Sequence, residues 1–226
     1  MMRTQALQVM AEHGWLSRQG REFQASLFDV ADFRSVPKGA AVYSLGDPPG
    51  GLYGIVDGFV DVFIAPGPLP TILVYVAGRG WWVGDAALLT RTPRRVGLAA
   101  RTDVRVMYVS EASLSKLAES DPKIWRRISE ITVAHVDNAL ALSATLAMAD
   151  PRRRLLATLW RLGCGVGGAA ETSELPLTQA ELGDIAGLSR NVVGRLLAEA
   201  ESAGIARSSY ARIQIDLARL KAALAV

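Results

Sequence analysis

Two hydrophobic periods alternate along this chain. Up to about residue 30 the apolar positions are spaced as on helices. From Phe33 to Val109 they fall into short alternating or β-branched runs broken by Gly and Pro, which predicts strands. Leu52–Val56 and Phe59–Ile64 flank Asp57-Gly58, a dipeptide that predicts a hairpin. Thr71–Ala77, Gly97–Ala100 and Val104–Val109 add further strands, and the set predicts an antiparallel roll or jelly roll. Helical spacing returns at about Pro122 and persists to Met148, predicting one long helix. Asp150-Pro151 ends it, because proline removes an amide and restricts the residue before it. Arg152, Arg153 and Arg154 open the helix that follows.

The densest signal lies between Leu177 and Ile205. Thr178-Gln179-Ala180-Glu181 has the form of a capping box. Gly187 fits the left-handed position that ends a helix, and Ser189 is a good N-cap for a second one. Gly183 stands where a bulky side chain would hold the second helix away. On that second helix Val192, Val193, Leu196, Leu197 and Ala200 share one face, and Arg190, Asn191, Gly194, Arg195 and Ala198 share the other. A helix with small residues among two arginines and an asparagine suits the major groove of DNA. Arginine can fork onto guanine O6 and N7, and asparagine onto adenine N6 and N7. Residues 206–208 and 212–215 flank Ser209-Tyr210-Ala211 as a second hairpin, and Asp216 caps a last helix ending near Leu224. The result is a winged helix-turn-helix, in which Arg207, Tyr210 and Arg212 are either phosphate contacts or plain solvated wing residues.

On the long helix Ile124, Ile128, Ile131, His135, Asn138, Leu142 and Thr145 step by four and three. Such a row is either the side packed on the helix's own roll or a seam with a second copy. The seam is the preferred reading, because a palindromic DNA site requires a two-fold protein and a polar His or Asn fixes register.

Composition narrows the class. Acidic and basic residues balance up to residue 150, so the net charge of +3 comes from residues 151–226, the part expected to meet phosphate. No apolar run is long enough to span a membrane, and the N-terminus lacks a secretory pattern, which points to the cytoplasm. Cys164 is the single cysteine, which excludes a disulfide within the chain and a four-cysteine iron-sulfur cluster.

Roll, long helix and winged helix-turn-helix in this order resemble the CRP/FNR superfamily of bacterial transcription regulators. The motifs that carry the resemblance are LTQAELGDIAGLSRNVVGRLL, GGLYGIVDGFVDVF and GRGWWVGDAALLTRTPRR. It implies an α+β chain in three parts: N-terminal helices and a cyclic-nucleotide-binding-like roll over 1–115, a dimerisation helix over 116–149, and a DNA-binding domain over 150–226. It also implies a homodimer on double-stranded DNA, with RNA polymerase as a further partner and an effector acting through the roll. The DNA-contact set is then Thr178, Gln179, Ser189, Arg190, Asn191 and Arg195. Asn191 departs from the Glu of the catabolite activator pattern and shifts the expected preference from cytosine towards adenine.

The expected effector pocket comprises Trp82, Gly84, Asp85, Arg95 and Val96. Cyclic-AMP-binding members have Gly-Glu for the ribose and Arg-Ser for the cyclic phosphate. Here Gly84-Asp85 and Arg95-Val96 stand in those places, and Ala139 and Leu140 stand where base-binding hydroxyls are expected. Each lost charged hydrogen bond is worth ~1.5–3 kcal/mol, so the departures argue against cyclic AMP and leave the effector unidentified. Trp81 and Trp82 either line an apolar pocket or fill the roll. Haem ligation by His135 or His13 is disfavoured, since a lone helix histidine is more often structural.

Two rival readings are an effector-binding protein that acts only through protein partners, and a cupin-like metalloenzyme. Retention of Arg190 and Arg195 argues against the first. The second needs a cluster of His and carboxylate ligands, but His13 and His135 both lie outside the predicted strands. GCGVGG at 163–168 precedes no phosphate-loop lysine and reads as a turn. The chain is therefore not expected to be an enzyme.

Overall fold

The computed structural model describes residues 3–167 and 172–225, which divide into two compact units. The first takes the chain up to Ile72 together with Ala77–Val136. The second takes Leu73–Val76 and the chain from Asp137 onward.

The first unit begins with three helices, α1 (Arg3–Glu12), α2 (Gly14–Ser17) and α3 (Arg21–Asp29). Along the chain eight strands follow: β1 (Asp32–Val36), β2 (Ala41–Tyr43), β3 (Leu52–Asp57), β4 (Val60–Ile64), β5 (Ile72–Ala77, of which Leu73–Val76 count with the second unit), β6 (Trp82–Val83), β7 (Gly97–Ala100) and β8 (Val104–Val109). They form two antiparallel four-stranded sheets, ordered β1-β8-β3-β6 and β2-β7-β4-β5. This is the jelly roll that the strand pattern predicts.

One part of that pattern is corrected. Asp57-Gly58 does not join a hairpin, because β3 pairs with β8 and β6 while β4 lies in the other sheet. The dipeptide is instead a corner. Gly58 has φ +82°, and a Cβ on it would stand 2.3 Å from the Asp103 carbonyl oxygen. Phe59 N donates to Thr102 Oγ1, and Phe59 O accepts from Arg101 N. The turn chemistry was legible, but its strands take partners tens of residues away in sequence, as Ile55 with Val106 and Val60 with Ala100.

A short helix α4 (Asp85–Thr90) interrupts the strands after β6, and α5 (Glu111–Ser120) and α6 (Ile124–Leu146) follow them. Ile124, Ile128 and Ile131 of α6 are buried within the chain's own core, in one cluster with Met10, Leu16, Leu27 and Trp82. Trp15 ties the group together, since its Nε1 donates to Arg127 O at 2.9 Å and its ring meets Trp82 edge-on at 5.2 Å. The expected seam is therefore corrected. Its three isoleucines are covered by their own N-terminal helices, His135 reaches Asp85 of α4, and Asn138 accepts from Arg161. Leu142 is half-buried, and Thr145 is buried and bonds back to Ala141 O. The exposed apolar side chains of α6 are Val133, Val136, Leu140 and Leu146.

In the second unit, α7 (Pro151–Gly167) precedes β9 (Thr172–Leu175), α8 (Gln179–Ala186), α9 (Arg190–Ser202), β10 (Ala206–Ser209), β11 (Arg212–Asp216) and α10 (Leu217–Leu224). The sheet order is β10-β11-β9, with β9 added beyond the two wing strands read from sequence. Ser209 pairs with Arg212, so the wing turn is the two residues Tyr210 and Ala211. Asp216 caps α10 through the Arg219 amide at 2.9 Å. The glycine-rich stretch is helical through Gly167 rather than a turn, and Gly168 lies outside the described residues. Among the described residues no helix is long and apolar enough to cross a membrane.

Candidate functional site

The helix-turn-helix is set by local bonds. Thr178 Oγ1 accepts from Glu181 N, and Glu181 Oε2 accepts from Thr178 N at 2.8 Å, which completes the capping box. Gly187 closes α8 with φ +63°, and Leu188 N returns to Gly183 O at 2.9 Å. A Cβ on Gly183 would stand 2.6 Å from Leu188 O, so this close turn depends on the missing side chain. Ser189 Oγ then accepts from Val192 N and starts α9.

On α9, Val193, Leu196, Leu197 and Ala200 are buried, while Arg190, Asn191, Arg195 and Ala198 are exposed and Gly194 is half-buried. Gln179 is half-buried at the base of α9, with Nε2 donating to Ser208 Oγ at 3.4 Å and Oε1 close to Gly194. Thr178 is half-buried and engaged in its cap. These two side chains are engaged within the motif, whereas Arg190, Asn191 and Arg195 form its exposed polar face. Sequence reasoning missed Glu199. It accepts from Arg195 Nη1 at 2.8 Å, one turn along the helix, and so restrains where that guanidinium points. The i, i+4 spacing was the signal that could have found it.

The roll carries the second group of predicted residues and divides it. Trp82 is core, packed on Trp15, so it fills the roll. Arg95 is exposed and Val96 half-buried. The arginine that enters the roll is its neighbour Arg94, 5% exposed. This corrects the pocket by one residue. β7 begins only at Gly97, so strand alternation does not reach these positions. Arg94 lies over the rings of Tyr43 at 4.5 Å and Tyr53 at 5.4 Å, and its Nη2 donates to Gly51 O at 3.1 Å. Its Nη1 and the Tyr43 hydroxyl are buried and find no hydrogen-bond partner among the described residues. Burial pushes the Tyr43 phenol well above its ordinary value, opposed by the Arg94 cation. Tyr53 stacks in turn on Tyr108 at 4.8 Å, and Arg34 lies over Tyr108 at 3.7 Å. Orphaned buried donors are rare, and a buried cation with a free donor fits an anion.

Asp85 stands beside this group, 1% exposed, but its carboxylate is already engaged. Oδ2 accepts from Thr132 Oγ1 at 2.6 Å, and Oδ1 lies 3.4 Å from His135 Nδ1. Burial alone would raise its pKa. The hydrogen bond and charge of His135 and the Thr132 hydroxyl outweigh that and hold the carboxyl below its ordinary value. The roll thus holds a buried guanidinium at Arg94 with one unpartnered donor, while the carboxylate expected to hold a ribose is taken by α6. Among the described residues no group of three or more His, Cys, Asp or Glu is placed to hold a metal.

Residues 33–121 match the cyclic nucleotide-binding domain family, and residues 153–223 match the Crp-like helix-turn-helix domain family. The chain belongs to the CRP/FNR superfamily of transcription regulators. The CRP-like protein Clp of Xanthomonas oryzae pv. oryzae is 25% identical over 180 residues, covering 76% of this chain and 78% of Clp. FixK2 from Bradyrhizobium japonicum superposes with a TM-score of 0.72 at 23% identity, over 85% of this chain and 96% of its own. TTHA1359 from Thermus thermophilus, a transcriptional regulator of the CRP/FNR family, superposes with a TM-score of 0.64 at 23% identity, over 86% and 99% of the two chains.

Proposed function

We propose that the protein is a cytoplasmic homodimer that reads a palindromic DNA site through α9 and responds to a small anionic effector in its roll. The observation that carries this reading is the exposed polar face of α9, where two arginines and an asparagine stand among small residues on a helix whose other face is buried. Arg190, Asn191 and Arg195 are its base readers, and the wing and α8 supply backbone contacts. In functional terms the chain divides into the roll domain to residue 115, the long helix over 116–149, and the DNA-binding domain from 150.

The dimer reading moves to the other side of α6. Val133, Val136, Leu140 and Ser143 step by three, four and three and are all exposed, three of them apolar. That is the spacing of a two-stranded seam, and packing α6 against α6 of a second copy removes this apolar surface from water. RNA polymerase is the expected protein partner on DNA. The effector is an anion whose charge completes Arg94 Nη1. The engaged Asp85 argues against cyclic AMP.

A random-duplex selection with purified protein, run with and without cyclic AMP, tests the reading. A two-fold motif enriched without cyclic AMP is the expected result. A motif that appears only with cyclic AMP would overturn the effector assignment, and no motif under either condition would overturn the DNA-reading assignment for the purified protein.

A further inference from the structure

Asp85 and His135 join two elements that are far apart in sequence. Asp85 is the first residue of α4, directly after Gly84, and His135 is on α6. The carboxylate is 1% exposed, whereas the imidazole keeps 30% of its side-chain surface in solvent. A proton can therefore reach the histidine without the buried acid being uncovered. Trp81 covers the other side of the imidazole, with ring centroids 5.3 Å apart.

Few other charges face the pair. On the roll side, the Arg94 guanidinium approaches Gly84, and the Tyr43 phenol lies next to Arg94. Arg79, in the turn before Trp81, is held by Asp57 at 3.3 Å. On α6, Thr132 contributes only its hydroxyl, and the positions one turn from His135 are Ile131, Asn138 and Ala139. Glu130 is exposed and accepts from Gln19, and Asp137 is exposed. Among the described residues of α6, His135 is thus the ionisable side chain in contact with Asp85.

We propose that Asp85, Thr132 and His135 form a proton-operated link between the roll and α6, closed when His135 is protonated, and that the closed link is the DNA-ready state. This rests on the reading of the protein as a DNA-binding regulator. Imidazole is the side chain whose charge ordinarily changes between pH 5 and 8. Asp85 is the acidic partner, its carboxyl being held below its ordinary value, against the effect of burial, while His135 and Thr132 engage it. With His135 charged, the two groups attract across a contact shielded from water. With His135 neutral, Asp85 remains a buried anion supported by Thr132 and its own backbone, and the hold on α6 weakens. A fixed α6 lowers the ordering cost of presenting two recognition helices together, so acidification within this window tightens DNA binding.

The test measures affinity for the selected duplex by fluorescence anisotropy at about pH 6 and about pH 8, the window of imidazole titration. Wild type, His135→Gln, His135→Arg and His13→Gln are compared. Wild type is expected to bind ~10-fold more weakly at the higher pH, within the usual range of coupling between sites. His135→Arg should be flat at the tight level, His135→Gln flat at the weak level, and His13→Gln should follow wild type. A profile shared by wild type and His135→Gln overturns the proposal, as does tighter binding at the higher pH that depends on His135.

Thermal unfolding without DNA gives a second readout. Wild type should melt ~2–4 °C above His135→Gln at the lower pH, and the gap should close at the higher one. An equal gap at both values overturns the link. If no duplex is bound at any pH, the DNA-reading assignment and the DNA-ready claim fall together, while this thermal comparison still decides whether the link exists.

Discussion

Arg94 and Gly84 close on each other inside the roll: Nη1 of the arginine lies 2.6 Å from where a Cβ on the glycine would stand. The same Cβ would be 2.6 Å from Gly51 O, and Gly84 has φ +104°, a conformation that side chains rarely adopt. The glycine lets the chain turn into α4 directly beside the cation.

Gly84→Ala is therefore expected to destabilise the protein by ~1–3 kcal/mol, the usual cost of one strained backbone position. The shift should appear in the midpoint of urea unfolding. An unchanged midpoint would mean that the backbone at this turn gives way without cost, and that Arg94 is not confined as described.

The two faces of α6 predict opposite outcomes for the same substitution. Ile131 is 3% exposed inside the core, so Ile131→Glu buries an unpaired charge and should destabilise the fold by several kcal/mol. Leu140 is 63% exposed, so Leu140→Glu should leave the unfolding midpoint within about 0.5 kcal/mol per protomer once measured on monomer. Sedimentation velocity should then show a dimer for wild type and a monomer for Leu140→Glu. A Leu140→Glu protein that remains dimeric places the interface elsewhere.

These faces also explain what the sequence could not convey. α6 bears two apolar rows at the same three-and-four spacing, one through Ile124, Ile128 and Ile131 and one through Val133, Val136 and Leu140. Periodicity identifies both but cannot say which one the N-terminal helices cover, because that is decided by packing against Met10, Leu16 and Leu27. The helix-turn-helix was legible because its signals are local: the capping box at Thr178, the left-handed Gly187 and the cap at Ser189 each act within a few residues. Asp57-Gly58 was legible as a turn and misread as a hairpin for the same reason, since turn chemistry does not specify the strand's partner. Glu199 lay within reach of a simple spacing argument, whereas Arg94 is placed by contacts with Tyr43 and Gly51, and Asp85 by Thr132 and His135, all more than forty positions away.

Asp85 also has a signature in acid stability. Its carboxyl is held below its ordinary value of ~3.9 in the folded chain, so the ionised form contributes stability. That contribution is present above the unfolded value and is lost as pH falls through the lower, folded one. Urea midpoints of wild type and Asp85→Asn should therefore differ most between about pH 4 and the range in which the His135 link opens, and should converge as pH falls below about 4. A difference that persists unchanged into stronger acid would show that the carboxylate's charge adds nothing beyond its shape.

The base-reading face of α9 gives the prediction that bears most directly on function. Arg195 is exposed and tethered to Glu199, so its fork is partly oriented before DNA arrives. Arg195→Ala should cost ~1–3 kcal/mol of specific binding and relax the base preference at one position of each half-site. Asn191 stands one residue after Arg190 on the same exposed face, and an amide there pairs best with adenine. Asn191→Glu replaces the donor with a second acceptor, so the preferred base at its position should move towards cytosine. Glu199→Gln removes the charge that holds Arg195 and frees the guanidinium. It should alter discrimination at the Arg195 position while leaving the Asn191 position as in wild type. Selection on randomised duplexes with the three variants separates these effects, since each substitution should change a different column of the motif or a different degree of preference within it. An Arg195→Ala motif identical to that of wild type would show that Arg195 contacts the backbone alone, and an Asn191→Glu motif identical to that of wild type would remove Asn191 from the reading set.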